Sequence, residues 1–402
     1  MHYRNFITGL IVLALVVFNY SCSSGETGSG QQKADVNILD GFVMGVDLSY
    51  INQVEDYGGV YKESGQVTDV YKLFKNKGAN LVRLRLWHNP LWTKEVYGEG
   101  AVLYSAFADV KKSIRRSKEQ GMAVNLDFHY SDVWADPEHQ TVPEAWKDIT
   151  EIQVLCDSVY NYTYAVLDEL NKEGLLPEMV QIGNESNCGM MHTETPETFP
   201  ALSVCEGNWA GFGKVINAGI AAVRAIDKKA GAKTVVALHV ADPKNLDWWF
   251  KDVIEKGGVT NFDVAGFSYY PHWHTEISFQ ELPLAVKRLK AAINKEVMIL
   301  ETAYPYTLDN ADAYPNIFGK DSAIDGYPIS IEGQRSFLID LTQNMIDAGA
   351  KGVMYWEPAW ITSGMKDLWG QGSGWDNAAL FDFTGNITTA ADYLGYTYTS
   401  TK

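Results

Sequence analysis

Short apolar runs recur along the chain at 43–48, 81–86, 123–128, 179–182, 235–240, 264–269, 297–300 and 353–356. Each has the length of a buried strand and is bounded by polar or turn-forming residues. Stretches with apolar residues at helical spacing lie between them, at 67–77, 107–119, 152–171, 209–229, 282–293 and 337–348. In the first of these, Val70, Leu73 and Phe74 share one face. Gly78, Gly121 and Gly349 stand just past helix ends, where a residue without Cβ takes the left-handed cap conformation freely. Eight strands alternating with helical stretches, without an internal composition break, predict a single α/β domain over 38–402. A parallel sheet of eight such strands closes on itself, giving a (β/α)8 TIM barrel with extended βα loops. An open doubly wound sheet is the rival, but no G-x-G-x-x-G turn follows the first strand.

The first 37 residues follow another pattern. Arg4 precedes an apolar run at 10–18, which is too short to span a bilayer comfortably, and Asn19-Tyr20-Ser21-Cys22 follows. This predicts a lipoprotein signal peptide over 1–22, with Cys22 as the lipidated first residue. A polar Gly/Ser-rich tether over 23–37 then leads into the domain. Export follows, with the protein held by lipid at the cell surface or outer membrane of a bacterium and touching membrane only there. Of the other cysteines, Cys188 and Cys205 bracket one loop. They form either a disulfide, as an oxidising compartment allows, or two independent buried thiols, while Cys156 stands apart.

Composition narrows the partners. The formal net charge is -17 and no basic stripe occurs, which argues against nucleic acid, an anionic membrane surface or a polyanionic substrate and favours a neutral ligand. Aromatics make up 12%, with 12 Trp. Flat rings stack on the C–H faces of sugars, or else simply fill core and rim. No zinc-ligand spacing, P-loop, nucleophile elbow or redox-cofactor motif is present. A monomer without organic cofactor is expected.

In a barrel, chemistry gathers where strands leave at their C-terminal ends. Read in order, those ends carry Asp47, then Arg83 and Arg85, then Asp127 and His129. Asn184-Glu185, Tyr269 with His272 and Trp273, Glu301, and Trp356 with Trp360 complete the series. Glu185 and Glu301 each close an apolar run at the point of emergence. Two carboxylates facing across a barrel mouth suit glycoside hydrolysis, one protonated to release the leaving oxygen and one ionised to attack the anomeric carbon. Taken singly, either is equally an ion-pair partner for Arg83 or Arg85. Asn184 is placed to bond a sugar hydroxyl, and Arg83, Arg85 or the phenol of Tyr269 to hold the ionised carboxylate. His129 shares a face with Asp127 and points to the mouth, unless it is a satisfied structural histidine. Trp273, Trp356 and Trp360 are candidate stacking platforms.

These segments together resemble glycoside hydrolase family 53. The resemblance rests on GVDLS at 45–49, VRLRLWHNP at 82–90, DFHYSDVWADP at 127–137 and QIGNES at 181–186. It extends to SYYPHWH at 268–274, ETAYPYT at 301–307 and SGWDNAALFDFTGN at 373–386. It implies an arabinogalactan endo-β-1,4-galactanase acting with retention on β-1,4-galactan or its oligosaccharides, with Glu185 as acid/base and Glu301 as nucleophile. The alternatives are an endo-glycanase for another neutral β-1,4-glycan (mannan, xylan or glucan) and a non-catalytic glycan-binding barrel. The resemblance further implies a structural Ca2+ held by Asp309, Asp312, Asn316, Ser373 and Asp376. The histidine the family pattern would supply is absent, with Ala313 and Tyr314 near its place, and a solvated acidic loop is the competing reading.

Overall fold

The computed structural model describes residues 37–399. The signal peptide, Cys22 and nearly all of the tether expected at the N-terminus lie outside them. Eight strands close into a barrel: β1 Val43–Asp47, β2 Leu81–Leu86, β3 Ala123–Phe128, β4 Met179–Ile182, β5 Val235–Ala241, β6 Val264–Ser268, β7 Glu296–Glu301 and β8 Gly352–Tyr355. Every neighbouring pair is parallel, and β1 closes the ring by pairing with both β2 and β8.

Helices Val70–Lys77, Phe107–Glu119, Ile152–Lys172, Trp209–Ala230, Leu282–Ile293 and Ile331–Ala348 occupy the expected crossovers. Between β5 and β6 runs an unanticipated helix, Leu246–Glu255, which buries Leu246, Trp249, Phe250 and Val253. After β8 the chain returns as a short 3-10 segment, Thr389–Gly395. A two-stranded ribbon, Lys62–Glu63 with Gln66–Val67, extends the loop after β1.

Two cores result. The larger fills the layer between sheet and helices. The smaller plugs the lower barrel interior with Val43, Leu81, Met179, Val235, Val264, Met298, Leu300 and Met354. Gly45 is needed there because a side chain on it would overlap Met354. Above this plug the inward positions turn polar: Asp47, Arg83, Arg85, Asp127, Gln181, His239 and Ser268 are all buried. The barrel is thus dry below and charged above, which fixes where the chemistry can be.

Candidate active site

The polar layer is organised by Arg83, 1% exposed. Its guanidinium reaches Asp47 at 2.9 Å, Asp127 at 2.7 Å and Glu301 at 2.7 Å. It also donates to Asn184 Oδ1 at 2.7 Å and to Gln181 Oε1 at 3.1 Å. Burial opposes its charge, but Asp127, Glu301 and Asp47 outweigh that and hold it protonated. The planar fork, with donors on three sides, is what lets one side chain tie five strands together.

Glu301 ends β7 and also accepts from the Tyr270 phenol at 2.9 Å. Across the mouth, Glu185 follows β4, and carboxylate oxygens of the two residues lie within 4.8 Å of each other. Glu185 is held at φ +43°, a left-handed conformation uncommon for a residue with a side chain. Tyr130, Asp242 and Glu357, after β3, β5 and β8, share that feature. Burial and then the charge of Glu301 push the Glu185 carboxyl well above the ordinary range. Burial raises Glu301 too, against the opposing pull of Arg83. Of the two, Glu185 takes the proton, because the cation sits on Glu301. The result is a neutral carboxylic acid facing an ionised carboxylate.

His239 completes the only group of three metal-capable side chains among the described residues, with Glu185 and Glu301. Its ring nitrogens are already engaged by Asn184 and Ser268, and Arg83 would repel a cation at Glu301. Ser268 Oγ is also hydrogen-bonded to Glu185 Oε1. Neither Ser268 nor His239 stood out in the sequence, although a histidine on the inward face of an otherwise apolar strand was a readable signal.

The cleft beside Glu185 has a volume of about 320 Å³ and is walled by Trp134, Tyr314, Trp356, Trp360 and Trp369, with Asn184, Asp136 and Asp367 as polar groups. Trp356 and Trp360 are therefore rim aromatics as expected, and Trp134, Tyr314 and Trp369 join them. Trp273, 42% exposed, stacks on Phe318 and meets Tyr270 edge-on at 5.4 Å, on the Glu301 side. His272 donates from Nδ1 to the Asp321 carbonyl beside it.

Three expectations change. Tyr269 does not hold Glu301; Tyr270 does, because alternation along the chain places Ser268 and Tyr270 inward and turns Tyr269 away. Arg85 serves not Glu301 but Glu357, at 3.2 Å, within a cage of Tyr50, Trp87 and Trp134. His129 is a satisfied wall residue: it bonds Asp127 through Nε2, while Nδ1 accepts from Trp87 and the Ala135 amide. It supports the mouth without opening onto it.

In the loops after β7 and β8, Asp312 and Asp376 converge on the Thr362 hydroxyl at 2.7 and 2.8 Å. Asn316 donates to Asp376 at 2.6 Å, and its own Oδ1 is buried without a partner. Ser373 packs alongside, its amide bonded to Asp312 and its hydroxyl to the Trp360 carbonyl. Asp309 contributes only its backbone carbonyl, whereas the Asn310 side chain reaches Asn316. This is an all-oxygen set with an orphaned buried oxygen, chemistry that fits a hard cation, with Asn310 replacing Asp309.

Cys188 and Cys205 are disulfide-bonded, with Cα atoms 4.9 Å apart, and Cys156 is a buried free thiol. The bridge pins the loop that follows Glu185. No helix among the described residues is long and apolar enough to cross a membrane.

Known proteins resemble this chain in sequence and fold. Residues 43–394 match the sequence model of Glycosyl hydrolase family 53. An arabinogalactan endo-beta-1,4-galactanase of Cellvibrio japonicus is 44% identical over 345 residues, covering 85% of this chain and 87% of that one. An endo-beta-1,4-galactanase of Bacillus subtilis is 33% identical, with 88% and 86% covered. The solved GH53 catalytic domain from Ignisphaera aggregans superposes with a TM-score of 0.79 at 33% identity, covering 89% of this chain and 96% of that one. The chain belongs to glycosyl hydrolase family 53.

Proposed function

We propose that this protein is a retaining endo-β-1,4-galactanase that cleaves β-1,4-galactosidic bonds in the galactan and arabinogalactan side chains of pectin. The observation that carries the reading is the carboxyl pair within 4.8 Å, one member bearing a proton and the other held ionised by Arg83 and Tyr270. Inverting enzymes keep their carboxyls about 6.5–9.5 Å apart to seat a water between, so this spacing favours double displacement. Galactanase relatives at 44% and 33% identity support the choice of sugar.

In the first step Glu301 Oε attacks the anomeric carbon while Glu185 gives its proton to the departing glycosidic oxygen, leaving a galactosyl ester on Glu301. In the second, Glu185 as carboxylate takes a proton from water, which opens the ester with net retention. Arg83 orients Glu301, Asn184 presents its amide beside the acid, and Trp356, Trp360 and Trp273 offer faces to neighbouring sugar rings. NMR of galactan digestion tests the mechanism: the β-anomer appears first if the reading holds, and initial release of the α-anomer sinks it. Reducing-end release on galactan against mannan, xylan and glucan tests the sugar.

Asn310, Asp312, Asn316 and Asp376 would hold a structural Ca2+, which when bound would clamp the loops after β7 and β8 that carry the cleft wall. A rise in melting temperature on adding Ca2+ to chelator-treated protein is the expected result, and no change would refute the site. Export with a lipid anchor at Cys22 completes the reading, and the Cys188–Cys205 bridge accords with an oxidising compartment. Mass spectrometry of the mature N-terminus checks it; an unlipidated Cys22 would contradict the anchor.

A further inference from the structure

We propose that Ser268 and His239 form a hydrogen-bond relay that keeps the proton on Glu185 in the resting enzyme, acting as positioning residues for the acid step. The inference rests on the reading of Glu185 as acid/base and adds to it.

The relay follows from counting hydrogens. His239 Nδ1 lies 2.7 Å from Asn184 Oδ1. The orientation of that amide is fixed, because Asn184 Nδ2 donates to the Ala135 carbonyl at 2.8 Å and Oδ1 accepts from Arg83. Gln181 Nε2 at 3.1 Å and the Glu185 amide at 3.4 Å also face Nδ1. Gln181, however, has acceptors for both of its hydrogens in Asn184 Oδ1 and the Gly183 carbonyl. The 2.7 Å contact with an acceptor oxygen is the closest of the three and would be repulsive at a bare nitrogen, which places a hydrogen on Nδ1. His239 is 1% exposed, and burial, then the charges of Arg83 and His129, push its pKa well below the ordinary value, so the ring is neutral and Nε2 is bare. Nε2 sits 2.9 Å from Ser268 Oγ and therefore accepts the only hydrogen that hydroxyl has. The hydrogen in the remaining bond, between Ser268 Oγ and Glu185 Oε1, must then belong to the carboxyl. Donors run in one direction, from Glu185 to Ser268 to His239 to Asn184.

Ionising Glu185 costs this chain a bond, since Ser268 must turn its hydrogen to the carboxylate and leave Nε2 without a donor. Among the other groups acting on Glu185, Glu301 and Asp136 also favour the proton and Arg83 opposes it. Ser268 would oppose it too if it donated to the carboxyl, which its engagement with Nε2 prevents. In the acid step the soft terminal torsion of Glu185 presents the protonated oxygen to the leaving group. As that proton transfers, Ser268 swings its own hydrogen from Nε2 to the oxygen left facing it. One proton leaves, from Glu185 to the glycosidic oxygen, while Ser268 and His239 keep theirs. When Glu185 takes a proton from the attacking water in the second step, the starting arrangement is restored.

The test compares pH profiles of kcat/KM on galactan for wild type, Ser268→Ala and Ser268→Thr. The relay predicts that the alanine variant moves the basic limb to lower pH by up to about one unit, a tenfold change on the scale of one net hydrogen bond, and that threonine restores it. A loss of activity in Ser268→Ala with the basic limb unmoved would overturn it. Nitrogen-15 NMR of ring-labelled wild type, with the His239 signals assigned by their loss in His239→Gln, reads the tautomer even if Ser268→Ala fails to fold. A neutral Nδ1–H ring is expected, and an Nε2–H ring or an imidazolium would refute the relay. Glu185→Gln separates the two levels. If it hydrolyses galactan at the wild-type rate, the acid/base reading itself has failed. If it is inactive while the basic limb in Ser268→Ala stays put, only the relay has.

Discussion

Replacing Arg83 by methionine removes a buried cation and leaves Asp47, Asp127 and Glu301 without their shared partner. All three are nearly inaccessible, so water cannot take the place of the guanidinium. Breaking a buried ion pair from one side costs about 3–5 kcal/mol. For a chain of this size the unfolding entropy is roughly 0.8 kcal/mol/K, so the melting temperature should fall by about 4–6 °C. The variant also relieves its charge by protonation, and Glu301 is the most exposed of the three carboxylates. Glu301 must be ionised to attack. Losing the cation raises its pKa, so the acidic limb of the kcat/KM profile moves to higher pH. Thermal unfolding and a pH series on galactan measure both effects. Adding Asp47→Asn to Arg83→Met should recover part of the lost stability, because one of the stranded charges is gone. A melting temperature within about 1 °C of wild type and an unmoved acidic limb would refute the claim that Arg83 organises this layer.

Glu185→Gln should abolish turnover of galactan yet retain ester formation from an aryl galactoside with a good leaving group, with azide accelerating release; loss of both reactions would argue against the acid/base role. Tyr270→Phe should lower kcat at least tenfold by removing the 2.9 Å bond to Glu301, the scale of one hydrogen bond to a charged group, whereas Tyr269→Phe should not. Trp356→Ala should raise KM more than it lowers kcat, measured on galactan, because the ring offers a stacking face in the cleft and no group that transfers a proton or forms a bond. Cys188→Ser with Cys205→Ser should cost roughly 3 kcal/mol in denaturant unfolding, the loop-entropy scale for a bridge spanning 17 residues.

The sequence carried the barrel because period and spacing are local: each strand announces itself by an apolar run, and nearly every run ends in a residue with chemistry to offer. Glu185 and Glu301 were legible for that reason, as were Asn184, Trp356 and Trp360. The helix Leu246–Glu255 also had its signal, with apolar residues at 246, 249, 250 and 253. Assignments within one strand end were harder. Tyr269 and Tyr270 differ only in which face alternation gives them, and that is settled by counting from Ser268, whose own inward position became evident only in three dimensions. Partnerships across the barrel left no mark in the sequence. Nothing local says that Arg85 belongs to Glu357, that His129 is fully satisfied, or that His239 and Ser268 on adjacent strands meet behind Glu185. The cation loop shows the same limit, since neighbouring Asp309 and Asn310 exchange roles according to a turn that only the folded loop sets.

The central claim is that Glu301 makes a covalent bond to sugar while Glu185 handles the proton. Incubating the protein with a 2-deoxy-2-fluoro-β-galactosyl inactivator, digesting it and sequencing the peptides by mass spectrometry tests this directly. The account predicts a single fluorogalactosyl ester on Glu301, and an unmodified chain or a label on Glu185 would contradict it.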